Sequence, residues 1–84
     1  MKMINIVKEG FNVECYIDRD YNVDININNI DVTYCDGETI SHNADVEGVT
    51  PQEWIGDFVI APLETAETLE QALDALDALV WAEN

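Results

Sequence analysis

Lysine and arginine are almost missing from this chain. There are three, Lys2, Lys8 and Arg19, and none between Asp20 and Asn84. Eighteen Asp and Glu stand against them, giving a formal net charge of −15 and a pI near 4.1. Such a charge excludes binding to nucleic acid or anionic lipid through electrostatics. The partner it implies is a basic protein. No apolar run approaches the ~18 residues of a membrane-spanning helix. The opening Met1-Lys2-Met3-Ile4-Asn5 has no apolar stretch of signal-peptide length, so secretion is not expected and the cytoplasm is. The four glycines, Gly10, Gly37, Gly48 and Gly56, are scattered, so no glycine-rich loop is present to cradle a phosphate.

What is present is ordinary globular material. Hydrophobic residues make up 48% of the 84 positions, enough to fold in spite of the charge. The length allows one domain and leaves little room for both a core and a catalytic cleft. No Cys–His or Ser–His–Asp spacing occurs. With eighteen acids, a carboxylate pair somewhere is expected by chance, so paired acids do not argue for acid–base chemistry. The chain reads as a non-enzyme with no catalytic, cofactor-binding or metal-binding residues.

Three local features are weighed against plain structural roles. Asp18, Asp20, Asn22 and Asp24 imitate the opening of an EF-hand loop, but Val23 and Asn29 stand where that loop needs Gly and Glu. A turn followed by the wet face of a strand is the simpler reading. His42, the sole histidine, alternates with Ile40 and Ala44 and reads as a sheet-edge residue rather than a ligand. Cys15 belongs to an apolar strand set, whereas Cys35 follows Tyr34 and is expected to point the other way. That geometry favours two reduced thiols over a disulfide.

The first half of the chain alternates with period two. The apolar sets are Ile4/Ile6, Phe11/Val13/Cys15/Ile17, Tyr21/Val23/Ile25/Ile27 and Ile30/Val32/Tyr34, with a weaker Ile40/His42/Ala44/Val46. Turn residues separate them. A two-residue loop at Glu9-Gly10 pairs Ile6 with Val13 and Ile4 with Cys15. A three-residue loop at 18–20 pairs Ile17 with Tyr21, Cys15 with Val23 and Val13 with Ile25. A two-residue loop at Asn28-Asn29 pairs Ile27 with Ile30 and Ile25 with Val32. A three-residue loop at 36–38 pairs Tyr34 with Ile40 and Val32 with His42. All four keep the apolar set on one face. The expectation is a four- to five-stranded antiparallel meander over about 2–46, wet on one side.

The second half changes to helical spacing. Thr50-Pro51-Gln52-Glu53 is a capping box with Pro at the first helical position, opening a helix over about 51–60. Trp54, Ile55, Phe58 and Val59 are expected to face the sheet, with Pro62 as the stop. A competing reading makes residues 58–63 extended. Thr68-Leu69-Glu70-Gln71 opens a second helix over about 69–82. Its apolar stripe is Leu69, Ala72, Leu73, Leu76, Leu79 and Val80, with Leu73 and Leu76 expected in the core. The whole is one acidic α+β domain, residues 1–84, with both C-terminal helices on one face of the sheet.

The acids carry the functional signal. Glu70, Asp74 and Asp77 recur at helical spacing, with Glu67 one turn earlier, forming a stripe extended by Trp81. On the wet face, Glu14, Asp24, Asp31 and Asp45 are expected among Asn12, Asn22, Asn26 and Asn43. Strand geometry puts alternate residues ~6.6–6.8 Å apart and neighbouring strands ~4.8 Å apart. Duplex DNA carries one charge per ~1.7 Å of axis. A body about 25 Å long with this charge therefore approximates that length of duplex. The candidate partner-binding residues are Asp24, Asp31, Glu67, Glu70, Asp74 and Asp77. Adaptation to high salt would also enrich acids, but the Ile- and Asn-rich 25–30 segment is an unusual halophilic surface.

In length, net charge and the cation-free stretch from Asp20 onward, the chain resembles the small acidic inhibitors that phages direct against host nucleic-acid machinery. These include anti-CRISPR and anti-restriction proteins that imitate DNA. The resemblance is one of class and composition over the whole chain, with no motif to carry over. It implies an inhibitor that binds the basic nucleic-acid-binding surface of a host protein, such as a defence nuclease or CRISPR effector, in the host cytoplasm. The alternatives are an antitoxin or immunity protein that neutralises a basic toxin nuclease, and a non-enzymatic adaptor for a basic protein.

Overall fold

The computed structural model describes residues 2–83, and side chains through residue 77. Four antiparallel strands run in sequence order: β1 (Lys2–Lys8), β2 (Phe11–Ile17), β3 (Val23–Ile27) and β4 (Ile30–Cys35). The meander is therefore present with four strands. Two of its turns follow from local chemistry as expected. Gly10 adopts φ 98°, a conformation open to a residue without Cβ, and Ile6 pairs with Val13 and Ile4 with Cys15. Asn28 and Asn29 adopt φ 53° and 66°, the left-handed pair that a two-residue hairpin needs, and Ile27 pairs with Ile30.

The loop between β2 and β3 differs from expectation. It spans 18–22 rather than 18–20, so Ile17 pairs with Val23, Cys15 with Ile25 and Val13 with Ile27. Asp18 closes it. Its carboxylate accepts from the backbone N–H of Asp20 and of Asn22 at 2.8 and 3.0 Å, and from the Asn22 side-chain amide at 2.9 Å. Tyr21 takes the left-handed φ of 65°. The register moves by two residues, so each side chain keeps its face.

A one-residue change in β4 has the opposite effect. A bulge lies between the Ile25 and Asn26 positions of the β3–β4 ladder: Asn26 pairs with Asp31, but Ile25 pairs with Thr33 and Val23 with Cys35. Val32 is the extra residue, and beyond it the faces exchange. Tyr34 and Val32 are exposed while Cys35 is fully buried. The expectation that Cys35 points away from Cys15 is corrected, since both thiols face the core. They form no disulfide, because β3 lies between their strands and two strand spacings are ~9.6 Å, beyond disulfide reach.

The fifth strand over 40–46 does not form. Residues Gly37–Glu47 are helix α1 instead. The Asp36 carboxylate caps its start by accepting from Glu38 N–H, and Gly48, left-handed at φ 75°, closes its end. Ile40 and Ala44 alternate with polar residues, but they also stand four apart. It is these two that are buried, while His42 and Val46 are exposed. The expected pairs Tyr34–Ile40 and Val32–His42 are therefore absent.

The helix opening at Pro51 runs past its expected end. Its capping box is complete: Thr50 Oγ1 accepts from Glu53 N–H and the Glu53 carboxylate accepts from Thr50 N–H. Helix α2 (Pro51–Ile55) continues into a π-helical turn (Gly56–Ile60) and helix α3 (Ala61–Thr65). Pro62 is inside this run and does not stop it. In an α-helix its ring would meet the carbonyl of Phe58. A widened turn directly ahead, where Ala61 N–H donates to Gly56 O five residues back, accommodates it. The extended reading of 58–63 falls with it.

Helix α4 (Leu69–Glu83) starts as expected, with Thr68 Oγ1 accepting from Gln71 N–H. The Gln71 side chain reaches back to Glu67 N–H, one residue before the cap itself. Ala72 and Leu76 are buried, but Leu73 is 42% exposed and does not join the core. The expected stripe positions Leu79 and Val80, and Trp81, lie outside the described side chains. The helices cover one sheet face. Val13, Cys15, Val23 and Ile25 from the strands meet Ile40, Trp54, Ile55, Val59, Leu63 and Leu76 in one core. Phe58 is 43% exposed and stacks on Trp54, with ring centroids 5.3 Å apart, rather than joining the core. No described helix is long and apolar enough to cross a membrane.

Candidate protein-docking surface

The strand register arranges the uncovered sheet face in rows. Met3, Tyr16, Asp24 and Tyr34 stand in one line across the four strands, and Asn5, Glu14, Asn26 and Asp31 in the next. This face is acidic, but it is also aromatic and rich in amides. Tyr16 donates its hydroxyl to Glu14 Oε2 at 2.7 Å, which orients the ring. That bond raises the Tyr16 hydroxyl above its usual range. Burial and then the Asp36 carboxylate do the same for Tyr34.

Asp24 is the most constrained acid of the face. Burial, followed by a hydrogen bond and charge repulsion from the Asp31 carboxyl, holds its carboxyl above the ordinary Asp range. Asp24 Oδ1 and its neighbour Asn26 Oδ1 are shielded from solvent and receive no hydrogen bond. Asp18 shifts the other way. The Asn22 side-chain amide and the backbone N–H groups of Asn22 and Asp20 favour its ionised form. Tyr16, Asp24 and Tyr34, with Asp18 and Asn22 at one end, line a shallow depression of about 380 Å³.

The sequence-derived candidates divide between two layers. Asp24 and Asp31 come together on the uncovered face. Glu67, Glu70, Asp74 and Asp77 are exposed on the helical layer that covers the opposite face, so the structure does not join the two sets into one row. Asp45 and Asn43 lie on α1 and Asn22 in the β2–β3 loop, so none belongs to the sheet face where alternation places them. Tyr34 is the residue that sequence reasoning misses, because without the bulge it counts among the inward apolar set.

The cations gather elsewhere. Lys2 and Arg19 border a cleft of about 600 Å³ between β1, the 18–22 loop and the π-helical turn, floored by Ile4, Ile17, Ile55 and Ile60. Lys8 donates to the backbone carbonyl of Glu64 at the end of α3 rather than to a carboxylate, where a helix C-terminus favours positive charge. Among the described residues no three His, Cys, Asp or Glu converge in a group suited to a metal ion.

Fold and surface together define an α+β protein whose sheet leaves one acidic, aromatic face uncovered. No protein-family model, curated protein or solved structure matches the chain.

Proposed function

We propose that this protein is an acidic inhibitor that occupies the nucleic-acid-binding surface of a basic partner protein, acting in the cytoplasm on a nuclease or nucleic-acid-guided effector. One observation supports this reading above the rest. Every acid from Asp20 to Asp77 except Asp24 is exposed, and no Lys or Arg lies in that stretch to neutralise them. The body is 35 Å long. Duplex DNA of that length carries about 20 phosphate charges, comparable with the formal −15 here. Such a field speeds encounter with a positive groove and penalises partners of like charge. The amides of Asn12 and Asn26 beside Glu14 add acceptors of the kind a phosphate-reading side chain meets.

The test is capture of the partner from bacterial lysate on the immobilised protein, followed by competition. A captured basic protein should release bound duplex DNA on adding this protein, with an affinity that falls steeply between low and physiological salt. A partner that holds this protein and DNA at the same time would exclude the mimicry reading.

A further inference from the structure

We propose that the depression formed by Tyr16, Asp24 and Tyr34 is the seat of an arginine side chain presented by that basic partner. The inference deepens the proposed function and rests on it for the source of the arginine. Its own ground is the chemistry of the depression. The register sets a carboxylate between two phenol rings, Tyr16 on β2 and Tyr34 on β4 with Asp24 on β3 between them. Two strand spacings separate the rings' backbones by ~9.6 Å, which admits one flat group between them.

The hydrogen-bonding inventory points to a ligand rich in donors. The Asp24 carboxylate lines the depression; its Oδ1 is shielded from solvent and has no donor of its own, and the Asp31 charge acts against it. Two donors of the depression are already engaged, Tyr16 OH on Glu14 and the Asn22 amide on Asp18. The Asp24 carboxylate and the two aromatic faces are the features that select among ligands. A guanidinium matches both, because it is planar, carries five N–H donors and stacks on aromatic rings, whereas an ammonium is a compact, strongly hydrated point charge. It also places positive charge beside Asp24, whose ionised form the Asp31 charge disfavours. A nucleobase could stack on the same rings, but the field of a chain at −15 opposes its phosphates.

The experiment uses the full chain and the peptide acetyl-Gly-Arg-Gly-amide, with its lysine and citrulline counterparts, followed by NMR. The arginine peptide should saturate, moving the Tyr16 and Tyr34 ring signals. The neutral citrulline peptide should bind at least about tenfold more weakly, as expected for loss of charge-assisted bonds. Tyr34→Leu keeps every charge and should weaken arginine binding about fivefold through loss of the aromatic face. Asp24→Asn keeps the shape and should weaken it further. Equal binding of the lysine and arginine peptides, unchanged in Tyr34→Leu, would show only a diffuse field and overturn the proposal. The two readings separate cleanly. Saturable arginine binding without DNA displacement from the captured partner rejects the inhibitor function and keeps the seat. Displacement with a flat peptide titration rejects the seat alone.

Discussion

Asp24 and Asp31 stand on adjacent strands of the uncovered sheet face, and burial first, then the nearby Asp31 carboxyl, hold the Asp24 carboxyl above the ordinary Asp range. The folded state therefore binds that proton more tightly than the unfolded chain. The stability it contributes is complete below the ordinary Asp range and is lost as pH rises through the raised Asp24 value. Asp24→Asn should accordingly raise stability at pH 7 by a few tenths of a kcal/mol, discounted for solvent screening. It should give no gain near pH 3. Asp18 has the opposite sign. Its lowered value contributes stability above the ordinary Asp range that is lost as pH falls through the lowered value, so Asp18→Ala should destabilise at pH 7. Urea midpoints of both variants at the two pH values check the signs, and a stabilising Asp18→Ala would contradict the account.

Gly37 is a point of backbone contact. A Cβ built there would lie 1.9 Å from the carbonyl oxygen of Asp20 and 3.1 Å from Asn22 N, and Gly37 N–H donates to Asn22 Oδ1 at 2.7 Å. The obstacle is main chain, so no side chain can rotate away. Gly37→Ala should cost about 2–3 kcal/mol or more, in spite of the higher helix propensity of alanine. Gly56→Ala, with nothing within 4 Å of its Cβ, is the control. A denaturation midpoint for Gly37→Ala equal to that of Gly56→Ala would refute the contact.

On α4 the two central leucines should behave differently. Leu76 is 6% exposed and Leu73 42%. Leu76→Ala should cost about 2–5 kcal/mol and Leu73→Ala well under half of that. Guanidinium denaturation of the pair measures the difference, and equal costs would mean that α4 packs in another rotation.

Both thiols should be inert in the folded protein. Cys15 and Cys35 are fully buried, and burial together with the Asp24 charge raises the Cys15 thiol to about 11. At pH 8 that leaves about one Cys15 in a thousand as thiolate. A thiol-reactive dye should label neither cysteine before unfolding and both after it. Rapid labelling of the native protein would place one of them at the surface.

The acidic layers can be separated by their charges. One variant carries Glu70→Gln, Asp74→Asn and Asp77→Asn on α4, and another Asp24→Asn and Asp31→Asn on the sheet. At least one should slow association with the captured partner by about an order of magnitude, and the loss should shrink in high salt. The arginine seat predicts that the sheet variant has the larger effect on dissociation. Parent-like rates in both variants would mean that charge is not the basis of recognition.

What the sequence determined by itself was local. Gly10 and the Asn28-Asn29 pair carry the backbone freedom their hairpins need, and Thr50 and Thr68 start helices through their own hydroxyls, so these features are legible before folding. Net charge and its one-sided distribution are legible in the same way. Tertiary structure decided whatever depended on which of two equivalent patterns the core would bury. Ile30, Val32 and Tyr34 alternate as regularly as any inward set, yet one bulge turns Tyr34 outward and Cys35 inward. Ile40 and Ala44 satisfy a period of two and a step of four alike, and packing against the sheet selects the helix. The tyrosine-flanked face at Asp24 thus follows from a single residue's shift in register, because a sheet has two faces and only the helices packed against it decide which becomes core.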